Sequence, residues 1–139
     1  MAKRILIVED EVDLADMIVD YFKSFGWETL TAANGKVALA KIEGFQPDVI
    51  LTDMTMPVMT GLELLEELDI LRIEIPVIFL TGFSDVEKMK MAWEHCAFDY
   101  LEKPLNPKIM LQIADNAFDF GREYIRSARK RFMFVRRTG

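Results

Sequence analysis

Val49-Ile50-Leu51-Thr52-Asp53 gives the clearest indication of the fold. Three aliphatic residues and a threonine follow Pro47-Asp48 without polar alternation and stop at an acid. A short unbroken apolar run of this kind suits a strand covered on both faces, as in a parallel sheet between helical layers. Ile5-Leu6-Ile7-Val8 has the same character and stops at Glu9-Asp10-Glu11. Pro76 to Thr81 reads as a further strand, Trp27 to Thr31 as a weaker one, and Phe98 to Leu101 as a short last one.

Helical patterns separate these runs. Leu14, Met17, Ile18, Tyr21, Phe22 and Phe25 keep a three-or-four-residue spacing, with Gly26 as the stop. Asn34-Gly35 predicts a turn, followed by a short helix over Lys36 to Glu43 that Gly44 ends. Gly61 to Leu71 predicts a helix with Leu65 and Leu68 inward. Ser84 is placed to cap a helix in which Val86, Met89 and Trp93 share a face. Pro107 opens the last helix at a position proline tolerates. Five strands, each followed by a helix, predict an α/β fold: a doubly wound five-stranded parallel sheet.

The chain has 139 residues, 51% of them hydrophobic and 29% charged, which fits one domain with a real core. No apolar run approaches the roughly 20 residues of a membrane span, and none matches a signal peptide. A cytoplasmic protein with no membrane partner is expected. One cysteine, Cys96, and one histidine, His95, exclude an intrachain disulfide and a Cys/His zinc site. They read as a buried thiol and a surface imidazole at a helix end.

Charge is uneven. Residues 119–139 carry seven Lys/Arg against two acids, whereas residues 1–118 carry ten against twenty-one. The acidic body should repel nucleic acid. The change of sign divides the chain into a body over 1–120 and a basic helical extension or linker over 121–139.

In open α/β sheets, ligands bind beyond the carboxyl ends of the strands. The predicted strands end there in Glu9 and Asp10, in Asp53 and in Thr81, and the last is followed by Lys103-Pro104. Carboxylates crowded together call for a cation, and hard oxygen ligands select Mg²⁺, Mn²⁺ or Ca²⁺ over zinc. Lys103 adds a point charge for a phosphoryl oxygen and Thr81 a hydroxyl donor. A carboxylate nucleophile among a metal, a lysine and a hydroxyl is a constellation for phosphoryl transfer.

Here the chain resembles the receiver domains of two-component response regulators. The resemblance rests on Ile5 to Glu11, on Asp48 to Pro57 with Gly61, on Val77 to Gly82 and on Asp99 to Pro104. It implies a flavodoxin-like sheet of order 2-1-3-4-5. It implies that Asp53 is the phosphoacceptor and that Mg²⁺, or Mn²⁺, is held by Asp10, Asp53 and the Thr55 backbone carbonyl. Glu9, where aspartate is commoner, would join directly or through water. Thr81 and Lys103 would hold the phosphoryl group, Tyr100 would be the switch aromatic, and the Lys103-Pro104 bond would be cis.

By the same resemblance, the donor is a phosphohistidine of a sensor kinase or phosphotransfer protein. The readout is the surface of the fourth helix, fifth strand and fifth helix, offered to a protein target or to an output domain. The protein catalyses only its own phosphorylation and slow dephosphorylation, so it is not an enzyme in the usual sense. Two alternatives are an interaction module that works without phosphorylation and a haloacid-dehalogenase-like phosphohydrolase. The latter would carry a second acid where Thr55 stands. Phe83 is either a cover over the acyl phosphate or a loop hydrophobe.

Ile109, Ile113, Ala117, Phe120, Tyr124, Ala128 and Phe132 carry a helical spacing into the basic tail. The last helix is therefore expected to extend about 20 Å past the body, with Gly121 as a possible kink. A helix so exposed is marginal in water. It needs a second copy of itself in a homodimer, the acidic body, or an output domain to pack on.

Overall fold

The computed structural model describes residues 2–138, and side chains as far as Arg131. Strands β1 (Arg4–Val8), β2 (Glu28–Ala32), β3 (Val49–Asp53), β4 (Val77–Thr81) and β5 (Asp99–Glu102) form one parallel sheet of order β2-β1-β3-β4-β5. Helices α1 (Val12–Ser24), α2 (Gly35–Phe45), α3 (Gly61–Ile70), α4 (Val86–Glu94) and α5 (Pro107–Thr138) follow the strands in turn. The doubly wound α/β architecture expected from the apolar runs is the one observed.

Strand residues alternate between two cores. Ile5, Ile7, Leu51, Ile78 and Leu80 pack with Ile18 and Phe22 of α1 and Met110 and Ala114 of α5. Leu6, Val8, Ile50 and Phe79 pack on the other face with Leu64, Leu65 and Leu68 of α3 and Met89 of α4. Both faces are covered, so the runs lack the polar alternation of a half-exposed strand.

Local chemistry sets the helix ends. Asn34 Oδ1 accepts from the Val37 amide at 2.9 Å and caps α2. Thr60 and Glu63 form a reciprocal capping box at the start of α3. Asn106 Oδ1 accepts from the Lys108 and Ile109 amides, and Pro107 opens α5.

Several boundaries differ from the sequence reading by about one residue, and two of the differences have a clear local cause. Helix α2 runs past Gly44 to Phe45, because Gln46 takes the left-handed conformation at φ 51° and closes the helix onto the Ile42 carbonyl. Ser84 caps nothing: α4 starts after Asp85, whose carboxylate instead accepts from the Gly82 amide. Met89 is buried on α4, but Val86 of the same face is exposed.

Helix α5 continues through Gly121 as one helix. Its buried stripe is Met110, Ala114, Ala117, Gly121, Ile125 and Ala128, while Ile109 and Phe120 are exposed. The side chain of Phe132 lies outside the described residues. Residues 121–129 of the helix lie on the body. Arg126 Nε meets Glu74 Oε2 at 2.6 Å, and Arg129 Nη2 donates to the carbonyl of Ile73 at 2.7 Å. The Phe98 and Tyr124 rings meet edge to face. Of the supports the helix requires, the structure supplies the acidic body. Among the described residues, no helix is long and apolar enough to cross a membrane.

Candidate phosphoacceptor site

The carboxyl ends of β1, β3 and β4 and the residues after β5 meet at one edge of the sheet. Glu9 and Asp10 follow β1, Asp53 ends β3, Thr81 ends β4 and Lys103 follows β5. Ligand atoms of Glu9, Asp10 and Asp53 lie within 4.8 Å of one another. The Lys103 ammonium stands 3.1 Å from Asp53 Oδ1 and 3.8 Å from Glu9 Oε1. The Lys103 amide donates to the Thr81 carbonyl at 2.9 Å, tying the two strand ends together, and the Lys103-Pro104 bond is cis.

Burial grades the three carboxylates. Glu9 has its side chain only 1% exposed, Asp53 is partly buried and Asp10 is exposed. Glu9 Oε2 accepts from the Glu11 amide at 3.1 Å, but Oε1 is buried with no hydrogen-bond partner. Burial pushes the pKa of Glu9 up to about 7. The Glu11 bond opposes the rise and the Asp53 charge adds to it. Burial also works against the Lys103 ammonium, yet Asp53 and Glu9 beside it hold its pKa above the ordinary lysine value.

The loop after β3 is held from below. Thr52 Oγ1 donates to the Asp53 carbonyl at 3.0 Å, and the Gly61 amide donates to the Met54 carbonyl at 3.1 Å. A Cβ on Gly61 would overlap the Asp53 carbonyl oxygen, so this close approach requires glycine. Thr81 Oγ1 is buried and donates to the Leu101 carbonyl at 3.3 Å. Tyr100 is 39% exposed and lies edge-on to Trp93. Thr81, Met89, Trp93, Tyr100 and Lys103 border a cavity of about 470 Å³ beside the site. Phe83 also borders it, but its side chain is fully exposed rather than folded over Asp53.

Several contacts, at the site and away from it, escaped the sequence reading. Lys88 of α4 donates to Thr55 Oγ1 at 2.9 Å, across 33 positions of chain. Gly61 stood out only as part of a motif, and its steric role needs the Asp53 carbonyl beside it. His95 is not a plain surface imidazole: its Nδ1 lies 3.0 Å from Asp69 Oδ2. Such pairs leave no local periodicity to read.

A family model of the response regulator receiver domain matches residues 5–115. Regulatory protein AtoC of Escherichia coli is 40% identical over 103 residues, covering 74% of this chain and 22% of AtoC. The DNA-binding response regulator MtrA of Mycobacterium tuberculosis is 32% identical over 110 residues, covering 78% of this chain and 47% of MtrA. The chain thus spans less than half the length of these curated relatives. A CheY-like response regulator receiver domain protein of Methanospirillum hungatei aligns with TM-score 0.82 and 32% identity, over 88% of this chain and 98% of that one. With the sheet order in agreement, the chain belongs to the response regulator receiver domain family.

Proposed function

We propose that this chain is a phosphorylation-dependent switch whose acceptor is Asp53. The observation that carries the reading is the Lys103 ammonium, 3.1 Å from Asp53 Oδ1 at the rim of a three-carboxylate cluster. An Asp53 carboxylate oxygen attacks the phosphorus of a phosphohistidine on a sensor kinase or phosphotransfer protein. The new P–O bond forms as the P–N bond breaks, and the ring nitrogen leaves with the electron pair. Lys103 is close enough to pass from the carboxylate to a phosphoryl oxygen and offset the added charge.

The donor set fits a hard divalent cation. Glu9 Oε1 is a buried acceptor without a donor, and all three side chains offer oxygen. Asp10, Asp53 and the Thr55 carbonyl would hold Mg²⁺ or Mn²⁺, with Glu9 direct or through water. The cation supplies charge neutralisation for the carboxylates and the incoming phosphoryl group.

After transfer, the Thr81 hydroxyl exchanges the Leu101 carbonyl for a phosphoryl oxygen. Tyr100 then turns from Trp93 toward the space beside Thr81. The surface of α4, β5 and α5 changes and is read by a protein target or by an output domain such as the relatives' extra length accommodates. The receiver itself, acidic over residues 1–118, is not the nucleic-acid contact.

Acetyl phosphate with Mg²⁺, followed by intact-mass measurement, tests the acceptor. One phosphate on the wild type and none on Asp53→Ala is expected. Equal uptake by the variant would overturn the assignment.

A further inference from the structure

A second charged cluster lies at the other edge of the sheet, where α3 and α4 end and β4 begins. Asp69 of α3 is its centre. Its Oδ2 lies 3.0 Å from His95 Nδ1, at the end of α4, and its Oδ1 lies 3.3 Å from Arg129 Nε of α5. Arg129 also donates through Nη2 to the carbonyls of Leu68 and Ile73. The Asp69 and Arg129 side chains are 11% and 12% exposed, so this ion pair is not a solvent-screened surface contact. One carboxylate therefore joins the ends of α3 and α4 to the C-terminal part of α5.

The opposite end of α4 is tied to the acceptor site. Gly82, next to Thr81, donates to Asp85 Oδ2 at 2.7 Å. Lys88 lies 3.9 Å from Asp85 Oδ1 and donates to Thr55 in the loop after β3. Between these ends α4 has nine residues, no side-chain cap, and only Met89 and Ala92 buried. It is thinly anchored along its length and bonded at both tips.

We infer that α4 couples the acceptor site to the docking of the C-terminal part of α5, through the His95–Asp69–Arg129 cluster. This rests on the reading of Asp53 as phosphoacceptor. When the Thr81 hydroxyl moves to a phosphoryl oxygen, Gly82 and Asp85 follow it, and a short, lightly buried helix moves as a body. His95 is drawn from Asp69, and the arrangement that holds Arg129 loses a member. The cluster is complete in the unmodified arrangement, so phosphorylation loosens residues 121–131 from the body. Coupling of this kind is reciprocal: a weakened cluster must favour the modified state.

Beryllofluoride with Mg²⁺ serves as the probe, with binding followed by tryptophan fluorescence and amide exchange of residues 121–131 by mass spectrometry. In the wild type, beryllofluoride should speed that exchange several-fold. Arg129→Gln should bind beryllofluoride several-fold more tightly, whereas Arg126→Gln, which cuts only the exposed pair between α5 and Glu74, should change the affinity far less. His95→Ala should bind beryllofluoride while its 121–131 exchange no longer responds, and it carries the test should Arg129→Gln fail to fold. Beryllofluoride binding with unchanged exchange in the wild type overturns the coupling and leaves the Asp53 reading intact, as does a wild-type response in His95→Ala. A wild type that binds no beryllofluoride overturns both.

Discussion

Gly121 lies so close to Pro76 that a Cβ added to it would stand 2.5 Å from the proline ring. The glycine is a contact point of α5 rather than a flaw in it. On an exposed helix, Gly→Ala would stabilise by about 1 kcal/mol. Here the added methyl meets a rigid ring in a packed seam, and overpacking of this kind costs about 1–3 kcal/mol. Gly121→Ala is therefore expected to destabilise by about 1 kcal/mol in urea unfolding. A raised unfolding midpoint would show that the seam yields.

Gly61→Ala should do more damage, because its added carbon meets the Asp53 backbone carbonyl rather than a side chain that can turn away. The loop after β3 must shift, and Asp53 with it. Acetyl phosphate uptake should fall at least tenfold, and stability by about 2 kcal/mol. Phosphorylation at the wild-type rate would mean that Asp53 does not depend on this approach.

The raised pKa of Glu9 sets a pH dependence. Its folded value of about 7 stands above the ordinary glutamate value of 4.5, so the folded state holds the proton more tightly. Its contribution to stability is full below about 4.5 and is lost as pH rises through about 7 in cation-free buffer. A cation must displace that proton, so Mg²⁺ affinity should rise from pH 6 to 8, by up to tenfold per unit below the pKa. Calorimetric titration checks both, with Glu9→Gln expected to flatten the profile. A wild-type affinity independent of pH would contradict the shift.

Thr81→Ala should separate chemistry from switching. The hydroxyl is buried on the Leu101 carbonyl, so its removal costs about 1 kcal/mol of stability. Asp53 and Lys103 remain, and phosphate uptake should persist. Chemical shifts around Tyr100 should respond weakly to beryllofluoride in the variant and strongly in the wild type. A full response without the hydroxyl would break the proposed link from Thr81 to Tyr100.

The layered α/β architecture is legible in the sequence alone, because a strand buried on both faces must be apolar along its whole length and Val49 to Thr52 show it locally. The sequence also shows which residues stand at the strand ends, since Glu9, Asp53 and Thr81 follow directly where apolar runs stop. The tail was another matter. Spacing pointed to Ile109, Ile113 and Phe120, but the residues facing the body there are Met110, Ala114 and Gly121, one position on, while Ala117 and Ala128 lie on both stripes. A helix lying close on its support selects small side chains, and smallness carries meaning only once the opposing surface, Pro76, is known. The cations of the tail read as an unspent charge. Tertiary structure decided that Arg126 and Arg129 meet Glu74 and Asp69, more than fifty positions earlier in the chain. Apolar periodicity is a property of neighbouring residues, whereas an ion pair acts through space at a few ångströms, and only the folded chain sets that distance.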